Sequence, residues 1–198
     1  CLAIREGRLI ELPGMSEIER LEFPEPFGAM EAFNTSGGSS TLPHTLLGRV
    51  RELDYKTIRY PGHAEKMRTM LEVGLASSEP LMVSGVEIAP RDVLESCLER
   101  TLKVEDDDLV LLRVTVDGTK DGGPARVSFQ MIDYADPDTG LSAMMRGTSF
   151  PASIITLMAA RGELEPGAHR QELVVPSERF IEEFLARGMP LEVELEGA

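Results

Sequence analysis

Apolar and polar residues alternate over most of the first sixty positions, which predicts strands. "LAIREGRLIELPG" alternates around Glu6-Gly7 and predicts a hairpin. "EIERLEF" (Glu17 to Phe23) is a second alternating run, closed by Pro24 and Pro26, and "GAMEAFNT" (Gly28 to Thr35) is a third. The loop "NTSGGSS" follows, then a short helix in "STLPHTLLG" that ends at Gly48, then a long strand from Val50 to Tyr60. Further on, Leu112, Val114 and Val116 alternate with Arg113 and Thr115. "DGTKDGGP" turns the chain, Val127, Phe129 and Met131 mark the return strand, and "DPDTG" turns it again into the strand-like "LSAMMRG".

The period changes to that of a helix in four places. Met67, Met70, Leu71 and Leu75 form one stripe after His63. Leu94, Cys97, Leu98, Thr101 and Leu102 form another, started by Pro90. Ser177 is placed to cap a helix with Phe180, Ile181, Phe184 and Leu185 on one face, stopped by Gly188. From about Pro151 to Arg161 the chain is apolar nearly all round, which asks for cover on every side. Antiparallel strands joined by tight turns, with helices gathered elsewhere, predict an α+β fold: a largely antiparallel or mixed sheet with helices packed on one side.

Composition narrows the function. With 20 basic and 34 acidic residues, the net charge of −14 argues against a nucleic-acid or anionic-membrane partner. No apolar run approaches the length of a membrane span and no signal-peptide pattern is present, which predicts a non-secreted, cytoplasmic protein. Cys1 and Cys97 form neither a CxxC pair nor a zinc spacing. Cys97 falls on a helix stripe and is expected to be a small buried hydrophobe. The three histidines, 44, 63 and 169, are not spaced as metal ligands, so no metal is expected. The acidic stretches "VEDDDL" (Val104 to Leu109) and "DPDTG" lack calcium-loop spacing and are expected to be solvated turns. The chain opens without Met in strand-like sequence, as a piece of a longer polypeptide or a processed product would.

Three stretches can carry chemistry. In "KTIRYPGH" a strand meets Pro61-Gly62 and becomes a helix near His63. Thr57 and Arg59 share a strand face and Tyr60 looks the other way. Arg59 and the free amides of the helix start would together clamp a carboxylate, and His63 is a candidate proton acceptor. The alternative is a surface arginine and a histidine serving as a cap. In "EAFNTSGGSSTLPH", Gly37 and Gly38 would let backbone approach a ligand, and Asn34, Thr35 and Ser36 offer neutral hydrogen-bonding groups; a flexible polar loop is the competing reading. In "MRGTSFPASI", Arg146, Thr148 and Ser149 precede the apolar helix, and an N-cap role for Thr148 or Ser149 competes with a functional one. Neither GxxxxGK[ST] nor GxGxxG occurs anywhere in the chain.

The segments "GAMEAFNTSGGSSTLPHTLLGRVRELDYKTIRYPGHAEKMRTMLEVGL", "RGTSFPASIITLMAARGEL" and "VVPSERFIEEFLARGM" together resemble the saccharopine dehydrogenase-like family, closest to its lysine 6-dehydrogenase branch. The resemblance implies a two-domain oxidoreductase acting on the CH–NH group of an amino acid. Residues 1–198 would be its substrate-binding and dimerisation domain. An N-terminal Rossmann domain, absent here, would hold NAD or NADP, and none is expected bound to this chain alone. Residues from about 145 to 198 are expected to pack against, or return to, that domain. The segment match places Arg59 at a substrate carboxylate, His63 at proton transfer with Thr57 and Tyr60 beside it, Asn34, Thr35 and Ser36 along the same cleft, and Thr148 on its far side. It implies a small amino-acid substrate and a homodimer. Saccharopine-type or carboxyspermidine-type substrates, and a binding or dimerisation module without chemistry, remain alternatives.

Overall fold

The computed structural model describes residues 1–102 and 108–197, in two compact units, Cys1–Lys103 and Val104–Ala198. Of the acidic "VEDDDL" stretch, Val104–Asp107 lie outside the described residues. The architecture is α+β with antiparallel sheets, as the sequence predicts.

In the first unit, β1 (Leu2–Arg5) and β2 (Arg8–Glu11) form the expected hairpin. Its two-residue turn puts Glu6 at φ 51° and Gly7 at φ 76°, the paired left-handed geometry that tight hairpins favour. Next come β3 (Glu19–Phe23), β4 (Gly28–Asn34), α1 (Leu42–Leu46) and β5 (Lys56–Arg59). The sheet order is β3-β4-β5, antiparallel throughout, so β4 is central. Its residues Met30, Ala32, Phe33 and Asn34 are buried, and with Ile4, Phe23 and Phe27 they make the core of this unit. The strand predicted over Val50–Tyr60 is cut to the four residues of β5. The chain before it is occupied elsewhere: the Arg51 carbonyl accepts from Gly7, Leu53 exchanges backbone hydrogen bonds with Ile4, and the Glu52 carboxylate accepts from the Glu6 amide. The Asp54 carboxylate pairs with Arg5 at 2.5 Å.

After β5 come α2 (His63–Glu72), β6 (Leu81–Val83), β7 (Val86–Ile88) and α3 (Pro90–Thr101). The small β6–β7 hairpin is absent from the sequence-based expectations. Its Ser84-Gly85 turn takes the same left-handed pair of conformations as Glu6-Gly7. The α3 stripe forms, but its cover does not: no residue of α3 is buried, Leu94 and Leu98 are half-buried, and Cys97 is exposed. The expectation of a buried Cys97 is therefore corrected. A stripe fixes which side of a helix is apolar, and among the described residues no layer of this unit buries that side.

The second unit is built on two long strands, β8 (Leu109–Lys120) and β9 (Gly123–Tyr134), joined by Asp121-Gly122 alone. The predicted turn over Asp117–Pro124 is thus mostly strand. Then follow α4 (Ala143–Ala160), α5 (Gln171–Val174), α6 (Ser177–Ala186) and β10 (Leu191–Glu196), which pairs with β9. β10 was not anticipated, although Leu-Glu-Val-Glu-Leu-Glu alternates without fault. Residues opposite one another share a face, so Leu112, Met131 and Leu191 form an apolar row, followed by Val114, Phe129, Val193 and by Val116, Val127, Leu195. At one end of this face α4 and α6 cover the sheet. Met131, Ile154, Met158, Phe184 and Met189 are buried there, with Val110, Phe150 and Leu191 against them. Each such side chain contributes about 1.5–3 kcal/mol by burial.

Two boundaries in this unit correct the sequence reading. "LSAMMRG" is helical from Ala143, so α4 starts well before Pro151. Ser142 caps it by accepting from the Met145 amide at 3.1 Å, and Asp108 accepts from Ala143 at 2.6 Å and Met144 at 2.9 Å. Thr148 and Ser149 are consequently helix-interior residues, not caps. Pro151, inside α4, removes one amide donor from the ladder. Ser177 is the first residue of α6, and Pro176 takes the capping position. Among the described residues no helix is long and apolar enough to cross a membrane.

Candidate functional site

The residues singled out in "KTIRYPGH" meet on one face of the β3-β4-β5 sheet. The register pairs Glu31 with Arg59 and Phe33 with Thr57, and on the other side of β4 it pairs Arg20 with Glu31. Arg20, Glu31, Phe33, Thr57 and Arg59 therefore face the same way. Thr35, two residues past Phe33, joins them: its hydroxyl is 2.6 Å from that of Thr57. Phe33 is 1% exposed, and the His63 ring stacks on it with centroids 6.0 Å apart and planes 12° apart. The imidazole is exposed, and among the described residues no hydrogen bond engages its ring nitrogens.

Arg59 is exposed and donates only to its neighbour, the Ile58 carbonyl, at 2.7 Å. Among the described residues it forms no ion pair. Arg5, by contrast, is held by Glu17 and Asp54 at 2.5 Å each. In a chain with 34 acidic residues, a guanidinium left without a carboxylate beside buried aromatic surface is a cation available to a ligand.

The helix end beside it is not available. Glu31 reaches from β4 to the start of α2, and its two oxygens accept from the Gly62 amide at 2.9 Å and the Ala64 amide at 2.7 Å. Partial burial on its own raises the Glu31 carboxyl, but the amides of Ala64, Gly62 and His63 outweigh it and hold the group below the usual carboxylate range. The expected clamp of Arg59 plus a free helix N-terminus is corrected accordingly: a protein carboxylate already fills the anion position, and Arg59 stands alone. Local sequence carries no signal for this, because the cap lies 31 to 33 residues away along the chain.

The other expected site residues are placed as follows. Tyr60 is past the end of β5 and 60% exposed. Asn34 points to the opposite sheet face, 1% exposed, and its amide donates to Ser16 and to Glu17 at 3.2–3.3 Å. Its hydrogen-bonding capacity is spent on holding the Ser16-Glu17 turn. Ser36 is exposed in the loop after β4. Gly38 lies under the Tyr55 ring, where an added Cβ would come within 1.9 Å of the ring, so the close approach read as room for a ligand is occupied by a tyrosine. Thr148 belongs to the second unit, on an exposed part of α4, with its hydroxyl 3.7 Å from the Met144 sulfur.

Also in the second unit, Arg146 is nearly buried. It donates to the Gly188 carbonyl at 3.1 Å and lies 3.4 Å from Asp133 and 3.9 Å from Asp136. Burial pushes the Asp133 carboxyl up, Arg146 opposes it, and Asp108 and Asp136 add to the rise. Among the described residues, Asp133 Oδ2 and Arg146 Nε have no hydrogen-bond partner. Among the described residues no group of three or more His, Cys, Asp or Glu side chains is arranged to hold a metal ion.

The Saccharopine dehydrogenase C-terminal domain family matches residues 2–189. This chain belongs to that family. The fold agrees: the apo histidine-tagged saccharopine dehydrogenase (L-Glu forming) from Saccharomyces cerevisiae superposes with a TM-score of 0.71 over 98% of this chain, at 18% identity. The match takes in 58% of that protein, so this Saccharopine dehydrogenase C-terminal domain spans a little over half the length of its structural neighbour. The strand-to-helix turn before α2 does not fit a dinucleotide. Its pyrophosphate needs a glycine-rich turn opening onto free helix amides, and the strand-to-helix turn at Pro61-Gly62 has its amides taken by Glu31.

Proposed function

We propose that this chain is the substrate-binding and dimerisation domain of an NAD(P)-dependent oxidoreductase acting on the CH–NH group of an amino acid. Lysine ε-deamination is the first candidate reaction and a saccharopine-type substrate the second. The observation that carries the reading is the unpaired Arg59 on the same face as the Thr35–Thr57 hydroxyl pair and the His63 imidazole. Arg59 takes the substrate α-carboxylate through its planar fork. One hydroxyl of the threonine pair is spent on the other, which leaves one proton and several lone pairs to orient the amine. His63, backed by Phe33, receives or returns a proton at that amine. A nicotinamide would supply the hydride acceptor, and residues outside 1–198 would hold its pyrophosphate, in keeping with the occupied amides of the Gly62 turn. Two free cysteines suit a reducing, cytoplasmic setting.

Dimerisation is assigned to the open end of the β8-β9-β10 face. Val114, Val116, Val193 and Leu195 are each about half exposed there, in register on three strands. A two-fold axis would bring the same patch together from both copies.

The test is made on Arg59 in the full-length enzyme. Arg59→Lys keeps the charge but loses the fork, and binding of the amino acid is expected to weaken by about 1.5–3 kcal/mol, the range for a hydrogen bond to a charged group. Unchanged substrate kinetics in Arg59→Ala would remove the proposal.

A further inference from the structure

We infer that Glu31 is a positioning and charge-selecting residue of this site: it holds the turn that presents His63 and closes the α2 N-terminus to a second substrate anion, leaving Arg59 as the anion contact of the corner. The inference rests on the reading of this face as the substrate site.

Glu31 is built into the corner from several directions. α2 has no capping side chain of its own, because its N-cap is Gly62 at φ 88°, a conformation that excludes most other residues. The cap therefore comes from across the sheet. The two amides that Glu31 accepts from belong to Gly62 and Ala64, the residues on either side of His63. Ala64 is 0% exposed, so no water replaces the carboxylate there without a rearrangement. Phe33, next on the same face of β4, carries the His63 ring. Two neighbours on one strand face thus grip one turn, Glu31 by its backbone and Phe33 by its imidazole.

The same carboxylate decides which charges the corner accepts. A helix N-terminus carries a partial positive charge and binds anions readily. With Glu31 seated on it, that charge is already neutralised. Arg59 lies directly across from Glu31 in the register, within the reach of a short dicarboxylate. A ligand with one carboxylate meets Arg59. A ligand with a second carboxylate nearby meets Glu31 and is repelled.

The experiment compares Glu31→Gln, Glu31→Asp and Arg59→Ala with wild type in the full-length protein, by amino-acid kinetics and by calorimetric titration of succinate. Glu31→Gln keeps the shape, but its NH2 group cannot accept from an amide. Its kcat is expected to fall at least tenfold with KM changed less than threefold, and succinate is expected to bind at least tenfold more tightly. Glu31→Asp keeps the charge, so it should partly rescue kcat and leave succinate binding weak. If Glu31→Gln changes neither kcat nor succinate binding by more than twofold, the inference is wrong. If it lowers kcat and the melting temperature together while succinate binding stays as in wild type, Glu31 is only structural and the inference is also overturned. Arg59→Ala separates the two levels. A normal KM there sinks the substrate site itself, whereas a raised KM beside an inert Glu31→Gln sinks only the role of Glu31.

Discussion

Replacing Arg146 by Met in the 198-residue chain should destabilise it by about 3–5 kcal/mol at pH 7, the cost of leaving one buried charge without its partner. The geometry sets the scale. Arg146 and Asp133 are 3.4 Å apart, with 13% and 4% of their side chains exposed. At an effective dielectric of 20 that separation is worth roughly 5 kcal/mol of attraction. Most of it offsets the desolvation of two groups that each keep an atom without a partner among the described residues, Asp133 Oδ2 and Arg146 Nε. The sign with pH follows from the direction of the Asp133 shift. Its folded carboxyl titrates above the ordinary value, first through burial, then against the pull of Arg146 and with the push of Asp108 and Asp136. A group of this kind takes up a proton on folding, so stability falls as pH rises from about 4, the unfolded value, through the raised folded one, and is level above it. Removing Arg146 removes the guanidinium that lowers it, so the window widens upward. The loss in Arg146→Met should therefore be small near pH 4 and full by pH 7, measured by urea unfolding at a series of pH values. The double replacement Asp133→Leu with Arg146→Met removes both charges and should recover most of the loss, or exceed wild type by about 1–4 kcal/mol. A loss that is the same at pH 4 and pH 7, or a double variant as weak as Arg146→Met, would refute this account.

Two further outcomes are expected. Val114→Glu, in the middle of the open sheet face, should be monomeric in sedimentation equilibrium where wild type forms the proposed dimer, with little effect on folding, because Val114 is already 46% exposed in one chain; a dimer in both would move the interface elsewhere. Ser142→Ala should cost about 1 kcal/mol in urea unfolding by removing the cap from Met145, whereas Thr148→Ala and Ser149→Ala, inside the helix, should each stay within about 0.5 kcal/mol.

The parts of this fold that were legible in the sequence are the parts whose causes are local. The Glu6-Gly7 turn, the alternation of β4, the stripe of α6 and the start of α2 at His63 each follow from residues within a turn or two of one another. The misread parts are set by distant ones. β5 is shortened because Arg51 to Asp54 answer Ile4, Arg5, Glu6 and Gly7, more than forty positions away. α4 begins early in part because Asp108 supplies acceptors to Ala143 and Met144, and "LSAMMRG" is too short for its own period to decide between strand and helix. The candidate site divides in the same way. Strand parity correctly put Thr57 and Arg59 on one face. It could not show that Glu31 fills the helix end, that Asn34 is committed to Ser16 and Glu17, or that Tyr55 covers Gly38.

β10 forms an outer edge of its sheet, and the edge of any sheet is a template on which another strand can grow. Its outward row is Glu192, Glu194 and Glu196, on the face away from the valines and leucines. If a second copy added its own β10 edge to edge, in the antiparallel sense a two-fold axis requires, carboxylates would stand opposite carboxylates along the new seam, which is unfavourable for directly facing like charges. Growth of a continuous sheet from chain to chain is thereby discouraged at this edge, while the apolar face a few ångströms away stays open. The acidity of this one strand thus disfavours edge-to-edge growth of the sheet and leaves the apolar face as the surface on which the proposed pairing would close.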